Sequence, residues 1–386
     1  DAGHIEKGEK PVHWCQDCSS ALAEAEVEYL DKTSKSIDVS FKAHEDSIEK
    51  LKEIFSTNIP ESIAFVIWTT TPWTLPSNAA VCINPEIEYS LIKVDDDYLV
   101  IATEMFDQCL DRWNKKGETV AKAPGKSILD INLLHPFIDR KSILLHADHV
   151  TIETGTGCVH TAPAHGVDDH MVCKKNNIEI RNALNSLGFF KDEFDFIAGL
   201  PPIKADPIVI ERLKETDSLI NIEDYNHSYP HCWRHKTPLI FTSTPQWFIS
   251  MNKNNLLDEA RKTIDQVEWE PSWGLQRIES MLEDRPDWCI SRQRNWGVPI
   301  TLVVHKETGE IHPEQSNLFD KFAKEIEKKG ISEWNKLELK NYISDYEDYI
   351  KIQDSLDVWF DSGVTHYAVS SKSFNKDIVA DLYLEG

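Results

Sequence analysis

Nowhere in the 386 residues does an apolar stretch approach the roughly 18 residues that a membrane-crossing helix needs, and no basic leader precedes an apolar run. A membrane role is not expected, and the chain reads as a cytoplasmic protein. Positive charge is scarce as well: 41 Lys and Arg face 65 Asp and Glu, a formal net charge of −24. Phosphate neutralisation supplies most non-specific affinity for nucleic acid, so a general polyanion binder is excluded and any such contact has to be local. The local candidates are Arg234-His235-Lys236 and the trio Arg285, Arg292 and Arg294. Eight cysteines, unevenly spaced, do not form the dense disulfide framework of a small secreted domain, and reduced thiols are expected. There is no internal repeat, no low-complexity tract and no initiating methionine, and a piece of a longer protein is expected.

Hydrophobic residues make up 41% of the chain, enough for substantial cores, and the length suggests roughly two to three domains. Strand and turn are expected around Cys15 and Cys18, then a charged helix over Ala43–Phe55. Residues 62–103 carry short apolar runs (SIAFVIW, AAVCI, YSLIKV, YLVIAT) punctuated by Pro, Asn and Asp, which predicts antiparallel strands. Helices are predicted at Asp206–Thr216, Leu256–Gln266 and Asn317–Lys329, the last ended by Gly330. The fold class is therefore mixed, with a β-rich middle and an α/β final third.

Cys15-Gln16-Asp17-Cys18 and Cys232-Trp233-Arg234-His235 each hold two metal-binding side chains at a two-residue spacing, which lets both face one ion from a single turn. Together the four ligands suit a tetrahedral, structural zinc site. Such an ion would close a neck around everything between the two turns. The plainer alternative is a set of buried thiols, as expected for Cys82, Cys109, Cys158, Cys173 and Cys289.

Two further segments suggest a polar pocket built from two loops. In the first, an apolar strand feeds Trp68-Thr69-Thr70-Thr71-Pro72-Trp73-Thr74-Leu75-Pro76-Ser77-Asn78; in the second, Gly155-Thr156-Gly157 leads into Cys158-Val159-His160-Thr161-Ala162-Pro163-Ala164-His165-Gly166-Val167-Asp168-Asp169. Taken singly, the threonines are ordinary β-branched strand residues and the His/Asp run is an ordinary loop or helix start. His165, Asp168 and His170 are read in that plainer way.

The two segments resemble the editing domain of the isoleucyl-tRNA synthetases, within class I. Resemblance continues, in the family's order, through Tyr229-Pro230-His231-Cys232-Trp233-Arg234-His235-Lys236-Thr237-Pro238, Trp288-Cys289-Ile290-Ser291-Arg292-Gln293-Arg294-Asn295-Trp296-Gly297-Val298-Pro299, Asp357-Val358-Trp359-Phe360-Asp361-Ser362-Gly363 and Tyr383-Leu384-Glu385-Gly386. Valyl and leucyl relatives carry TTRP followed by an acidic residue where this chain has Thr71-Pro72-Trp73-Thr74, which favours the isoleucyl type. Ala164 stands where the family pattern has glycine, and it requires an ordinary φ there.

The resemblance implies a β-barrel-like editing domain inserted into part of a Rossmann-type catalytic domain. Residues 1–35 would be neck strands with the first zinc half-site, 36–226 the editing insertion, and 227–386 the return strands, second half-site and a partial catalytic or connective region. It further implies hydrolysis of valine wrongly attached to the 3′-terminal adenosine of tRNA(Ile). One methylene is worth only about 1–3 kcal/mol of discrimination, isoleucine against valine being the familiar example of that limit, so a second, smaller site has to remove valine. No GxSxG elbow or Cys/His nucleophile signature is present, so water is the expected attacking group, helped by a ribose hydroxyl of the tRNA. Thr69, Thr70 and Thr71 are assigned to the ester, ribose and water, Asn78 to orienting their loop, His160 to the wall that rejects isoleucine, and Asp169 to the substrate's α-ammonium.

By the same resemblance Trp359 lines the isoleucine side-chain pocket and Glu385-Gly386 begin an adenylate-binding segment. ATP and Mg²⁺ would belong to the longer parent only, because no HxGH precedes the insertion and no KMSKS follows it. A monomer working on the tRNA acceptor end is expected, without aminoacyl-adenylate synthesis by this piece. Two rival functions are a metallohydrolase using His160, His165, Asp168, Asp169 and His170, and a non-catalytic tRNA-binding module.

Overall fold

A continuous apolar run marks a strand covered on both faces, and Ala64–Thr69 is one: Ala64, Phe65, Val66 and Ile67 are all buried. The computed structural model describes residues 3–57, 62–283, 285–371 and 380–384. These divide into two compact units, one of Asp1–Val12, Cys18–Glu26 and Pro245–Gly386, the other of His13–Asp17 and Val27–Thr244.

In the second unit, Ala64–Thr69 sits inside a six-stranded sheet. Its strand order is Leu219–Cys232, Val27–Lys42, Ala64–Thr69, Asp97–Ala102, Glu88–Val94, Gly117–Pro124. A second sheet runs Cys158–Thr161, Ala80–Ile83, Lys141–His146, Asn132–Leu134. The expectation of antiparallel strands over 62–103 holds for the Glu88–Val94 and Asp97–Ala102 hairpin. It holds on one side only for Ala64–Thr69, antiparallel to Val27–Lys42 but parallel to Asp97–Ala102, and for Ala80–Ile83, which leaves for the other sheet and lies antiparallel to Cys158–Thr161 but parallel to Lys141–His146. Apolar periodicity identifies a strand but not its partner, and enough chain separates the parallel pairs for a crossover.

The predicted helices form close to their expected bounds, at Glu45–Ile54, Pro202–Glu215, Leu256–Ile264 and Gln315–Lys329, with Gly330 at φ +87 ending the last. Among the described residues five more were not foreseen: Phe106–Trp113, Val167–Lys175, Trp273–Glu283, Glu333–Lys336 and Val358–Gly363. The second of these bears on the site. Asp168 and Asp169 fall in its first turn, where carboxylates are favoured by the unpaired N–H groups, so a stretch that reads as loop is a helix start.

The other unit is mixed α/β with short pairings: Trp288–Cys289 against Phe248 and Ile249, Ser291–Arg292 against Ser355–Leu356, and Val303–His305 against Tyr349–Lys351. Leu318 and Phe322 of the Gln315–Lys329 helix pack with Val303, Trp334, Leu337 and Ile343 in one of its cores. No helix among the described residues is long and apolar enough to cross a membrane.

Candidate functional site

The first loop leaves Ala64–Thr69 and turns at once into a short 3₁₀ segment, Pro72–Ser77, because Pro72 presets φ and has no N–H to satisfy. Its polar backbone is held from outside. The Trp73 amide donates to Asp206 Oδ1 at 2.8 Å. His135 Nε2 donates to Leu75 O at 2.8 Å, and Arg140 Nη2 donates to both Pro76 O and Asn78 O at 2.6 Å. His135, Arg140 and Asp206 carry no local motif, so nothing in the sequence marks them as supports.

The second loop depends on two glycines, Gly155 at φ +88 and Gly157 at φ +78. A Cβ on Gly157 would lie 2.3 Å from Ala102 Cβ, so this close approach admits glycine alone. Thr156 Oγ1 donates to Val66 O at 2.5 Å, tying the turn to the strand that delivers the threonines. Cys158–Thr161 then pairs with Ala80–Ile83, placing His160 opposite Val81. Ala164 is fully buried and is not among the positive-φ residues, so the turn there is built on an ordinary backbone conformation.

Between the loops lies a cavity of about 220 Å³ lined by Trp68, Thr69, Thr70, Thr71, Thr74, Val159, His160, Ala162, His165 and Asp169. Five of the six residues assigned to the pocket from sequence line it; Asn78 stands behind His160. The Asn78 amide orientation is set because Nδ2 donates to Ala80 O at 2.8 Å, and the same group donates to His160 Nδ1 at 2.8 Å. With Nδ1 accepting, Nε2 carries the hydrogen and donates to Thr74 Oγ1 at 3.0 Å, whose hydroxyl donates to Thr71 O at 2.9 Å. Both ring nitrogens of His160 are thus committed. Burial pushes its pKa down to about 3, so it is a neutral, immobile wall with no site left for proton transfer.

His165, read from sequence as plain loop structure, also lines the cavity. Its Nδ1 donates to Phe241 O at 2.9 Å, which leaves Nε2 to accept from Ser77 Oγ at 2.8 Å. Burial lowers its pKa to about 4. Asp168 and His170 belong to the Val167–Lys175 helix and do not line the cavity.

Asp169 does. Its Oδ2 accepts from the Ala162 amide at 2.8 Å, and a Cβ on Gly166 would come within 2.8 Å of the same oxygen, so the glycine leaves the carboxylate its room. Burial raises its pKa to about 6 despite the Ala162 N–H and nearby His149, so above that pH it presents a negative charge. Thr69 Oγ1 accepts from the Thr71 amide at 3.1 Å and lies 3.2 Å from Thr71 Oγ1. That pair shares one hydroxyl hydrogen, which leaves the other for a bound molecule. The pocket therefore offers a negative charge, hydroxyl donors and a fixed imidazole face.

The ligand atoms of Cys15, Cys18, Cys232 and His235 all lie within 4.8 Å of one another. Cys15 Sγ is 3.7 Å and Cys232 Sγ 3.8 Å from His235 Nδ1. A tetrahedron with Zn–S bonds of about 2.3 Å has edges of about 3.8 Å, so three thiols and one imidazole here are compatible with zinc. Among the described residues this is the one group of three or more His, Cys, Asp or Glu placed to share an ion. The His/Asp set of the second loop does not gather in that way, which removes the geometric basis for a metallohydrolase at the pocket.

Arg292 and Arg294 do not form the local basic patch expected from sequence. Arg292 is 1% exposed, its Nε donates to Glu26 Oε2 at 2.9 Å, and its Nη2 pairs with Asp357 Oδ2 at 2.8 Å; Arg294 pairs with the same Glu26 at 3.1 Å. A cation this deep has to be matched internally, and its field is spent on those carboxylates. Lys236 is likewise paired with Glu28, whereas Arg234 lies over the Trp233 ring. Trp359 lines a separate cavity of about 240 Å³ with Arg285, Trp288 and Asp357, and Asp357 Oδ1 accepts from its amide at 3.1 Å. Glu385 and Gly386 lie outside the described residues.

The chain belongs to the class I tRNA synthetases (I, L, M and V), whose family description matches residues 1–386. It is 49% identical to the isoleucine–tRNA ligase of Thioalkalivibrio sulfidiphilus (strain HL-EbGR7), over 100% of this chain and 41% of that protein, and 49% identical to that of Pseudoalteromonas atlantica (strain T6c / ATCC BAA-1087), over 100% and 42%. It thus spans about two fifths of the length of these curated relatives. Among solved structures, the editing domain of the P. knowlesi cytosolic leucyl-tRNA synthetase overlaps 52% of this chain and 98% of its own length at a TM-score of 0.38 and 11% identity.

Proposed function

We propose that the Val27–Thr244 unit hydrolyses the ester of mischarged valyl-tRNA(Ile), editing for an isoleucine–tRNA ligase of which this chain is part. The observation that carries this reading is the pocket wall: His160, with both ring nitrogens bonded, faces the Thr69–Thr71 hydroxyls and the Asp169 carboxylate across about 220 Å³. A rigid imidazole limits side-chain size, while Asp169 pairs with the α-ammonium that every aminoacyl ester carries. Water, oriented by threonine hydroxyls and the terminal ribose hydroxyl, attacks the ester carbonyl carbon. The carbon–ribose oxygen bond breaks, the ribose oxygen takes a proton, and free valine leaves.

In the longer protein, isoleucine would be activated with ATP and Mg²⁺ and transferred to tRNA(Ile), with Trp359, Glu385 and Gly386 contributing to the synthetic site. The editing insertion would run over 36–226, its sheets forming a barrel-like body joined by neck strands to a Rossmann-type domain. Zinc held by Cys15, Cys18, Cys232 and His235 would be structural, since four protein ligands leave no position for substrate. We read the protein as a cytoplasmic monomer. The deciding experiment presents the chain with valyl-tRNA(Ile) and isoleucyl-tRNA(Ile) and measures release of each amino acid. Valine released many times faster than isoleucine is expected, and equal release, or none of either, overturns the proposal.

A further inference from the structure

The 3₁₀ segment Pro72–Ser77 lacks a side-chain cap of its own. Thr71 precedes it at φ −128 and ψ 69 with no capping hydrogen bond, and Pro72 has no N–H, so the Trp73 amide is the first donor the turn exposes. That donor is met from 133 positions away in sequence by Asp206 Oδ1 at 2.8 Å. Asp206 lies in the Pro202–Glu215 helix, immediately before Pro207. Two groups face it besides the Trp73 amide: the Lys32 ammonium on the Val27–Lys42 strand, and Tyr229 on the Leu219–Cys232 strand, whose ring Lys32 covers at 4.0 Å. Thr71 and Thr74, on either side of Trp73, line the cavity, and Thr74 supports His160.

We infer that Asp206 is a positioning residue of the pocket, a cap supplied in tertiary structure that holds the threonine loop at its working height without touching the substrate. The inference rests on the editing reading above. Without the acceptor, the Trp73 amide has to find water, and the turn that carries Thr71 and Thr74 loses the anchor at its start. A loop displaced by a fraction of an ångström still binds substrate but aligns water poorly, so the loss should fall on turnover rather than on binding.

The test compares the intact chain with D206A and with D206N, whose amide oxygen can still accept from Trp73. Hydrolysis of valyl-tRNA(Ile) gives kcat and KM, and hydrogen exchange reports the Trp73 amide directly. D206A should lose about tenfold or more in kcat with KM changed less than about threefold, and its Trp73 amide should exchange at least about tenfold faster. D206N should keep kcat within about threefold of the unaltered chain and retain the protection. Should D206A fail to fold, D206S, whose hydroxyl is too short to reach the amide, takes its place under the same readings. The inference is overturned if the alanine and asparagine variants behave alike, or if Trp73 protection is unchanged in D206A. Absence of valyl-tRNA hydrolysis by the unaltered chain would instead overturn the editing reading, with the exchange measurement still deciding whether Asp206 holds the loop.

Discussion

At His160 the hydrogen-bond pattern separates two roles that the residue type alone leaves open. A general base needs a free nitrogen, and here Nδ1 accepts from Asn78 while Nε2 donates to Thr74. H160A should therefore open space rather than remove a proton acceptor, raising hydrolysis of isoleucyl-tRNA(Ile) while valyl-tRNA(Ile) is still cleaved; loss of activity on both esters with no gain on isoleucine would show the size-filter role to be wrong. Asp169 should behave differently. Replacing it with alanine removes a charge-assisted contact worth roughly 1.5–3 kcal/mol, and both esters should be cleaved about ten- to a hundredfold more slowly. Because burial raises the Asp169 pKa to about 6, the ionised form is lost as pH falls through that value. The ratio of wild-type to D169N rates should shrink below pH 6, and a ratio constant from pH 5 to 8 counts against ammonium pairing.

At the scale of elements, the pocket exists because a strand end and a glycine turn are locked to one another. Gly157 packs against Ala102 at a left-handed φ, so G157A adds both backbone strain and a clash. We expect a loss of about 2–4 kcal/mol in unfolding free energy, together with editing turnover reduced beyond the assay limit, whereas G199A, at a positive φ with open space around it, should be milder in stability and near normal in turnover. The Cys15–Cys18 and Cys232–His235 turns, whose ligand atoms lie within 4.8 Å of one another, form another element pair. Metal analysis of the purified chain should return one zinc per molecule, lowered by C232S. C82S should leave it unchanged, because the Cys82 thiol is buried beside Thr161 and away from the four ligands.

For the molecule as a whole, acid should weaken the fold through its buried imidazoles. His135 and His160 have pKa values pushed down to about 3 and His165 to about 4, while an unfolded chain protonates near 6.5. Below pH 6.5 the unfolded state binds more protons, so stability falls with pH until the folded values are reached, by up to about 2 kcal/mol per histidine at pH 5. Asp169 and Asp206 act in the opposite direction, since their raised values of about 6 and about 7 favour the folded state as they take up protons. H165Q should flatten the decline in melting temperature between pH 6.5 and 5, and an unchanged slope would contradict the assignment. The 386 residues should also give no ATP–pyrophosphate exchange with isoleucine, since they contain neither HxGH nor KMSKS.

Much of the site could be read before any fold was known, because its chemistry sits in two short segments. Thr69–Thr71, His160 and Asp169 are picked out by the resemblance of their two segments to the editing domains of isoleucyl-tRNA synthetases, since taken singly they read as strand and loop residues, whereas the four Cys and His of the candidate zinc site are legible from spacing alone, because two-residue turns are local geometry. The long amphipathic helices are legible for a similar reason: their period repeats over several turns. What could not be read are relations between distant positions. Whether Ala64–Thr69 runs parallel or antiparallel to Asp97–Ala102, which nitrogen of His160 holds the hydrogen, that Arg292 is buried against Glu26 and Asp357, and that Asp206 caps a turn 133 residues earlier all depend on packing. Side-chain identity and local spacing travel with the chain, so the sequence by itself determined which groups are available; the direction of hydrogen bonds, the burial that shifts a pKa and the pairing of charges arise only when remote segments share one volume, and those the tertiary structure alone decided.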